Sequence, residues 1–205
     1  MNTNKHEVAD SEGNGSENRR TDEQLMVEFC QGSREAFSEL FARYKQPLFG
    51  FFRRRLADPA QAEELTQETF LALLRNCLRY EPLALFRTYL YAISLKILRA
   101  HRRKTALRAM LLGTQIAIRK TYEPARDTEL FLRQAVRKLD AQDREILLLR
   151  EFEQLSYGEI AQLLKLPVNT VRSRLFRARM ALRDLLQPTS PASLATKLAE
   201  SEERI

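Results

Sequence analysis

Apolar residues in this chain recur every three or four positions, and strict alternation is absent. Leu25 and Phe29 begin the pattern, Ala36, Phe37, Leu40, Phe41 and Tyr44 continue it beyond a Gly32-Ser33 break, and Phe86, Leu90, Ile93 and Ile97 repeat it. Side chains at this spacing share one face of a helix, whereas a half-buried strand would alternate. The expected fold class is therefore all-α. With 205 residues, 44% of them hydrophobic, the chain has enough length for one or two compact domains with real apolar cores.

Composition and punctuation divide the chain. Residues 1–20 are polar and cannot bury enough apolar surface to offset the cost of ordering, so they are expected to be a disordered tail. Residues 21–104 form the first helical domain. Within it Pro47 should kink or restart a helix. Asp58-Pro59-Ala60-Gln61 should open one that runs to about Arg79, with an Asp cap, a proline at the first helical position and a Gln at the third. "YEPLAL" interrupts before a helix from about Phe86 past Arg103. The pattern weakens over 105–126, the expected linker, although "LRAMLLG" is apolar enough to extend a helix. Residues 127–187 make a second helical domain, with helices near 128–138 and 141–153, and 188–205 a Pro/Ser-rich tail.

Charge and motifs narrow the function. Lys+Arg 34 against Asp+Glu 27 gives +7, which favours polyanionic partners. No apolar run is long enough to cross a bilayer, and the N-terminus lacks the pattern of a signal peptide, so membrane insertion is not expected and a cytoplasmic protein is. Cys30 and Cys77 belong to no metal-binding spacing and are expected to be buried apolar residues. No glycine-rich phosphate loop, nucleophile elbow or HExxH is present, so neither an enzyme nor a cofactor is expected.

The second domain carries the sharpest signal. Ser156-Tyr157-Gly158-Glu159 is a capping box, and Tyr157, Ile160, Ala161 and Leu164 then form one buried stripe. In the next helix, at about 100° per residue, Val171, Leu175, Ala178, Leu182 and Leu185 gather on one side. Asn169, Arg172, Ser173, Phe176, Arg177 and Met180 gather on the other. Two short helices joined by a tight turn, the second bearing such a face, make a helix-turn-helix. Arginine forks suit guanine edges or phosphates, and an aromatic ring can touch thymine methyls. Solubilising arginines beside a stray Phe176 would account for the face alone, but not for its agreement with the capping box, the turn and both stripes.

In the first domain Phe70, Leu73, Leu74 and Cys77 should be core, beside a polar face of Glu64, Gln67, Glu68 and Leu71. On pattern alone that face reads as plain surface. Two apolar stripes of the following helix, Phe86/Leu90/Ile93/Ile97 and Tyr91/Leu95/Leu98, flank a row of Tyr89, Ala92, Lys96, Arg99 and Arg103. A ring heading a cationic row suits single-stranded nucleic acid. A core tyrosine with solvated cations fits the same pattern.

"AEELTQETFLALLRN", "FRTYLYAISLKILRAHRRK" and "LDAQDREILLLREFEQLSYGEIAQLLKLPVNTVRSRLFRARMALRDLL" resemble regions 2 and 4 of the sigma-70 family of RNA polymerase sigma factors. The resemblance is to its extracytoplasmic-function group, which keeps only those two domains, and spans about Leu25 to Leu186. It implies a factor that binds core polymerase and directs promoter recognition and initiation. Glu64, Gln67 and Glu68 would contact the clamp helices of the beta-prime subunit, and the second domain the beta flap. Leu78 to Thr88 match the loop that captures a flipped base of the minus-ten element. Tyr89, Lys96, Arg99 and Arg103 would hold the melted strand of that element. Arg172, Ser173, Phe176 and Arg177 would read the minus-thirty-five element in the major groove, with Asn169 at the helix start and Thr170 near phosphate. An anti-sigma factor is a further implied partner, as this group commonly has one.

The sequence departs from the family pattern at Tyr89 for Trp, Lys96 for Asn, and Lys165 and Asn169 for Gly. Leu139-Asp140 also replaces the usual Leu-Pro. Asn169 would serve as a helix cap, and Lys165 in a left-handed turn would cost about 1 kcal/mol. The alternative function is a stand-alone helix-turn-helix regulator with a sensory or partner-binding first domain, which would bind duplex DNA unaided.

Overall fold

The computed structural model describes residues 20–81, 85–111 and 127–187, and among these every regular element is helical. The expected tails and most of the expected linker lie outside the described residues. In chain order the elements are α1 (Asp22–Cys30), α2 (Arg34–Arg53), α3 (Pro59–Asn76) with a 3-10 turn at Cys77–Arg79, and α4 (Phe86–Leu111). α5 (Asp127–Lys138), α6 (Ala141–Glu151), α7 (Tyr157–Leu164) and α8 (Val168–Leu186) follow.

Local chemistry sets most boundaries. Thr21 caps α1 in a full capping box with Gln24, and Ser33 caps α2 by accepting from the Ala36 amide. Asp58 accepts from the Ala60 amide, and Pro59 opens α3 where its missing N–H costs nothing. The expected return bond from Gln61 is not among the observed ones. α2 passes unbroken through Pro47, so the expected restart does not occur. The buried Leu48, Phe51 and Phe52 beyond it keep the helix on the core despite the lost hydrogen bond. α4 continues to Leu111 and takes in the first part of the stretch read as linker.

In the first module α1 packs on α2, α2 on α3 and α3 on α4. Leu25, Leu40, Leu65, Leu73, Phe86 and Leu90 meet inside it. Glu23 on α1 accepts from the Phe86 amide at 2.7 Å, so one helix supplies the cap for the first turn of another. Two core expectations fail. Leu74 is 38% exposed, because only Phe70 and Leu73 of that stripe turn inward, and both cysteines are half-buried. The Cys30 thiol donates to the Cys77 carbonyl at 2.8 Å, and burial pushes its pKa up to about 11.

In the second module α6, α7 and α8 pack together and α5 lies against α8. The capping box at Ser156 forms as expected, with Ser156 Oγ accepting from the Glu159 amide and Glu159 accepting from the Ser156 amide. α7 ends at Lys165 in the left-handed conformation, φ 56° and ψ 48°. The Leu166 amide reaches back to Ala161 O at 3.0 Å and the Lys165 amide to Gln162 O at 3.3 Å. These bonds satisfy carbonyls that the helix end would leave orphaned, and so hold a lysine where glycine is favoured. Pro167 stands at the N-cap of α8 without a side-chain bond. Asn169, expected to cap that helix, lies inside its first turn.

Neighbouring residues of α8 have opposite roles. Leu175 is fully buried and Phe176 is exposed. Leu175→Ala should therefore lower stability by about 2–5 kcal/mol through a core cavity. Phe176→Ala should change it by no more than about 0.5 kcal/mol. Urea denaturation of the two variants checks this, and equal losses would contradict the assignment of faces.

Candidate nucleic-acid interface

α8 sorts its residues by face. Val171, Leu175 and Ala178 are buried, and Leu182 and Leu185 are half-buried. On the other side Asn169, Arg172, Ser173, Phe176 and Arg177 are exposed, with Phe176 at 64%. Thr170 and Met180 are half-buried, which places Met180 on the edge of this face and not within it. The Ser173 hydroxyl donates back to Thr170 O at 3.1 Å, leaving its oxygen's lone pairs outward.

The four arginines between Arg172 and Arg179 divide into two pairs. Arg174 donates to Asp143 at 2.8 Å and Arg179 to Glu151 at 2.6 Å, so both tie α8 to the ends of α6. These two are structural, and the helical pattern likewise leaves them off the face that holds Arg172 and Arg177. Asp140, also 3.5 Å from Arg174, caps α6 by accepting from the amides of Gln142 and Asp143. Arg172 leans toward the Tyr157 ring, 5.9 Å from its centroid. Arg177 is 61% exposed, with its Nε 3.9 Å from Asp143. Arg172 and Arg177 are thus the outward pair, five residues apart and bracketing Phe176.

On α4, Ala92, Lys96, Arg99 and Arg103 are exposed along one face. Among the described residues none of these three cations is paired with a carboxylate. Tyr89 heads the row and is half-buried, its ring 5.2 Å from that of Tyr80. It is both a packing residue and an accessible one. On α3, Glu64, Gln67 and Glu68 are all exposed, beside Leu71 at the same spacing. Among the described residues no His, Cys, Asp or Glu group of three or more is placed to hold a metal. No described helix is long and apolar enough to cross a membrane.

Glu159 joins the two modules. Besides capping α7, its carboxylate accepts from Arg87 at 3.0 Å and from Thr88 at 2.8 Å, both in the first turn of α4. Nothing at the sequence level marked this contact, because it joins residues more than 70 positions apart.

Comparison with known proteins places these two modules. Residues 40–107 match the model of sigma-70 region 2, and residues 132–182 that of sigma-70 region 4. The RNA polymerase sigma-H factor of Pseudomonas aeruginosa is 33% identical over 82% of this chain and 94% of its own. The ECF RNA polymerase sigma-E factor of Haemophilus influenzae is 29% identical over 82% of this chain and 96% of its own. Among solved structures, CnrH in complex with the cytosolic domain of CnrY is 27% identical, with a TM-score of 0.63 over 82% of this chain and 99% of that one. The fold is also that of the Bartonella quintana sigma factor RpoE, solved with the anti-sigma factor NepR, at TM-score 0.67, 21% identity and coverage of 75% and 98%. A two-module helical protein with a helix-turn-helix in its second module is thereby defined. The chain belongs to the sigma-70 family, in its extracytoplasmic-function group, a family of sigma factors and not of enzymes.

The Glu159 contacts have a measurable signature. Burial alone would raise its pKa, but hydrogen bonds from Ser156, Thr88 and Arg87 outweigh burial and hold the carboxyl at about 2, below its ordinary 4.5. Because the folded value is the lower one, the stability is fully present above about 4.5 and is lost as pH falls toward 2. NMR titration of the Glu159 carboxyl should give a midpoint near 2, and a midpoint near 4.5 would contradict the contacts.

Proposed function

We propose that this sigma factor brings core RNA polymerase to its promoters by applying two faces to one DNA. The outward Arg172, Phe176 and Arg177 of α8 read the minus-thirty-five element in the major groove, with Asn169 and Ser173 beside them and Thr170 near phosphate. Arginine forks match guanine O6 and N7, and a ring in van der Waals reach can contact a thymine methyl. The Tyr89, Lys96, Arg99 and Arg103 row on α4 holds the melted minus-ten strand. Its cations follow the backbone and the accessible part of Tyr89 stacks on an unstacked base. A base captured outside the helix cannot re-pair, so opening is stabilised by binding energy without covalent chemistry.

The observation that carries this reading is the coexistence, in one chain of the family, of an exposed aromatic-cationic face on the recognition helix and a second, carboxylate-free cationic row on the other module. Glu64, Gln67 and Glu68 form the acidic and polar face for the beta-prime clamp helices, and the second module meets the beta flap. The protein works in the cytoplasm, where its polymerase and DNA are. An anti-sigma factor is a further partner: the CnrH structure, similar over nearly its whole length, is a complex with the cytosolic domain of CnrY.

Run-off transcription with core polymerase tests the reading. Arg172→Ala or Arg177→Ala should each weaken promoter recognition by about 1–3 kcal/mol and relax selectivity at one minus-thirty-five position. Uniform weakening on all sequences would assign both to phosphate alone. Reversing the charges of Glu64 and Glu68 should impair assembly with core polymerase while helicity is retained, and unchanged assembly would remove that face from the interface.

A further inference from the structure

The end of α4 belongs to neither promoter-reading face. The buried residues of this helix stop at Leu98. Among the described residues, Arg102 makes the last bond from α4 to another element, to the Arg55 carbonyl at 3.5 Å. The helix then runs on to Leu111, about 14 Å further at 1.5 Å per residue. Along this free end only Ala109 is half-buried, and every other residue is exposed.

The exposed side chains are sorted. Leu107, Met110 and Leu111 are 57%, 82% and 76% exposed, at i, i+3 and i+4 on one face. Arg103, Lys104 and Arg108 fall within about 100° of Leu107 around the helix, so a cationic rim encloses an apolar tip. Between Glu81 and Glu123 the sequence holds no acidic residue, so no neighbour along the chain neutralises that rim.

Large apolar side chains gathered in the open mark a surface that something else covers. A second copy of the chain would set the same cations against each other. Single-stranded nucleic acid would match the charge, but bases stack on rings and this tip is aliphatic throughout. An anionic lipid surface satisfies both halves. Acyl chains receive Leu107, Met110 and Leu111, and the headgroup phosphates receive the cations, whose aliphatic stems reach past the apolar layer.

From this match we infer that the free end of α4 is a docking site for an anionic membrane surface. The helix lies in the headgroup layer and does not cross the bilayer; no described helix is long and apolar enough to do so. A short apolar tip and a few cations are each weak anchors, and together they give reversible, salt-sensitive attachment. Leu107 also points in nearly the same direction around α4 as Tyr89, Lys96 and Arg103. The docked face therefore continues the row proposed for the minus-ten strand, and lipid would compete with that strand. Only this competition rests on the promoter reading.

The chain contains no tryptophan, so one introduced into it reports alone. In the full chain, Met110→Trp emission should move to shorter wavelength on vesicles of phosphatidylglycerol and phosphatidylethanolamine in equal parts, and should not move on phosphatidylcholine vesicles. Thr105→Trp, exposed on the far side of the helix, should move on neither. Met110→Ser combined with Leu111→Ser leaves the charge unchanged and should lower co-sedimentation with the anionic vesicles by about tenfold or more. Equal sedimentation of that variant and wild type would reduce the attraction to overall positive charge and overturn the site. Equal shifts at both tryptophans, or no shift at Met110→Trp, would also overturn it. A Met110→Trp shift on a single-stranded oligonucleotide but not on anionic vesicles would assign the tip to nucleic acid and overturn the lipid docking. Docking by a chain that fails to initiate with core polymerase would sink the promoter reading and leave this site standing.

Discussion

Each helix of this chain has an apolar stripe to bury, and that requirement decides where its charges are left. In α8 the burial of Val171, Leu175 and Ala178 fixes the helix rotation, and Arg172, Phe176 and Arg177 follow outward as a consequence. In α4 two stripes are buried and the strip between them receives Lys96, Arg99 and Arg103. The exposed cationic faces are not added to the fold; they are the complement of the core. This is why a surface aromatic such as Phe176 can be kept at little expense to stability, since the core beneath it is complete without it.

Charge does two kinds of work in the molecule, and position separates them. Arg174 and Arg179 share a helix with Arg172 and Arg177, but the first two meet carboxylates on α6 and fix the docking of α8. The same division holds between modules. Arg54, Arg55 and Arg87 are spent on glutamates, while the cations of the α4 row stay unpaired among the described residues. A net charge of +7 describes the whole and distinguishes neither group.

Features governed by neighbours in sequence were legible without coordinates. The Ser156–Glu159 box, the Asp58-Pro59 start, the left-handed Lys165 and the stripes of α7 and α8 all depend on contacts within one helical turn. Features decided by what packs across the chain were not. Leu74 follows the periodicity of the α3 core stripe, but α2 and α4 cover only the part of it holding Phe70 and Leu73. Pro47 would break an isolated helix, but the buried residues beyond it carry α2 through. Glu23 as the cap of α4, and Glu153 with its two arginines, join residues 63 to 99 positions apart and leave no local mark. The family resemblance supplied roles for the exposed faces, yet it carried nothing about the contact between the modules.

In the proposed function one chain presents two separate faces to one promoter. A cryo-electron microscopy structure of the protein with core polymerase on promoter DNA would show where both faces lie. Arg172, Phe176 and Arg177 should then lie in the major groove of the upstream duplex and Tyr89, Lys96 and Arg99 along a single strand downstream. A complex in which either face turns away from the DNA would contradict it.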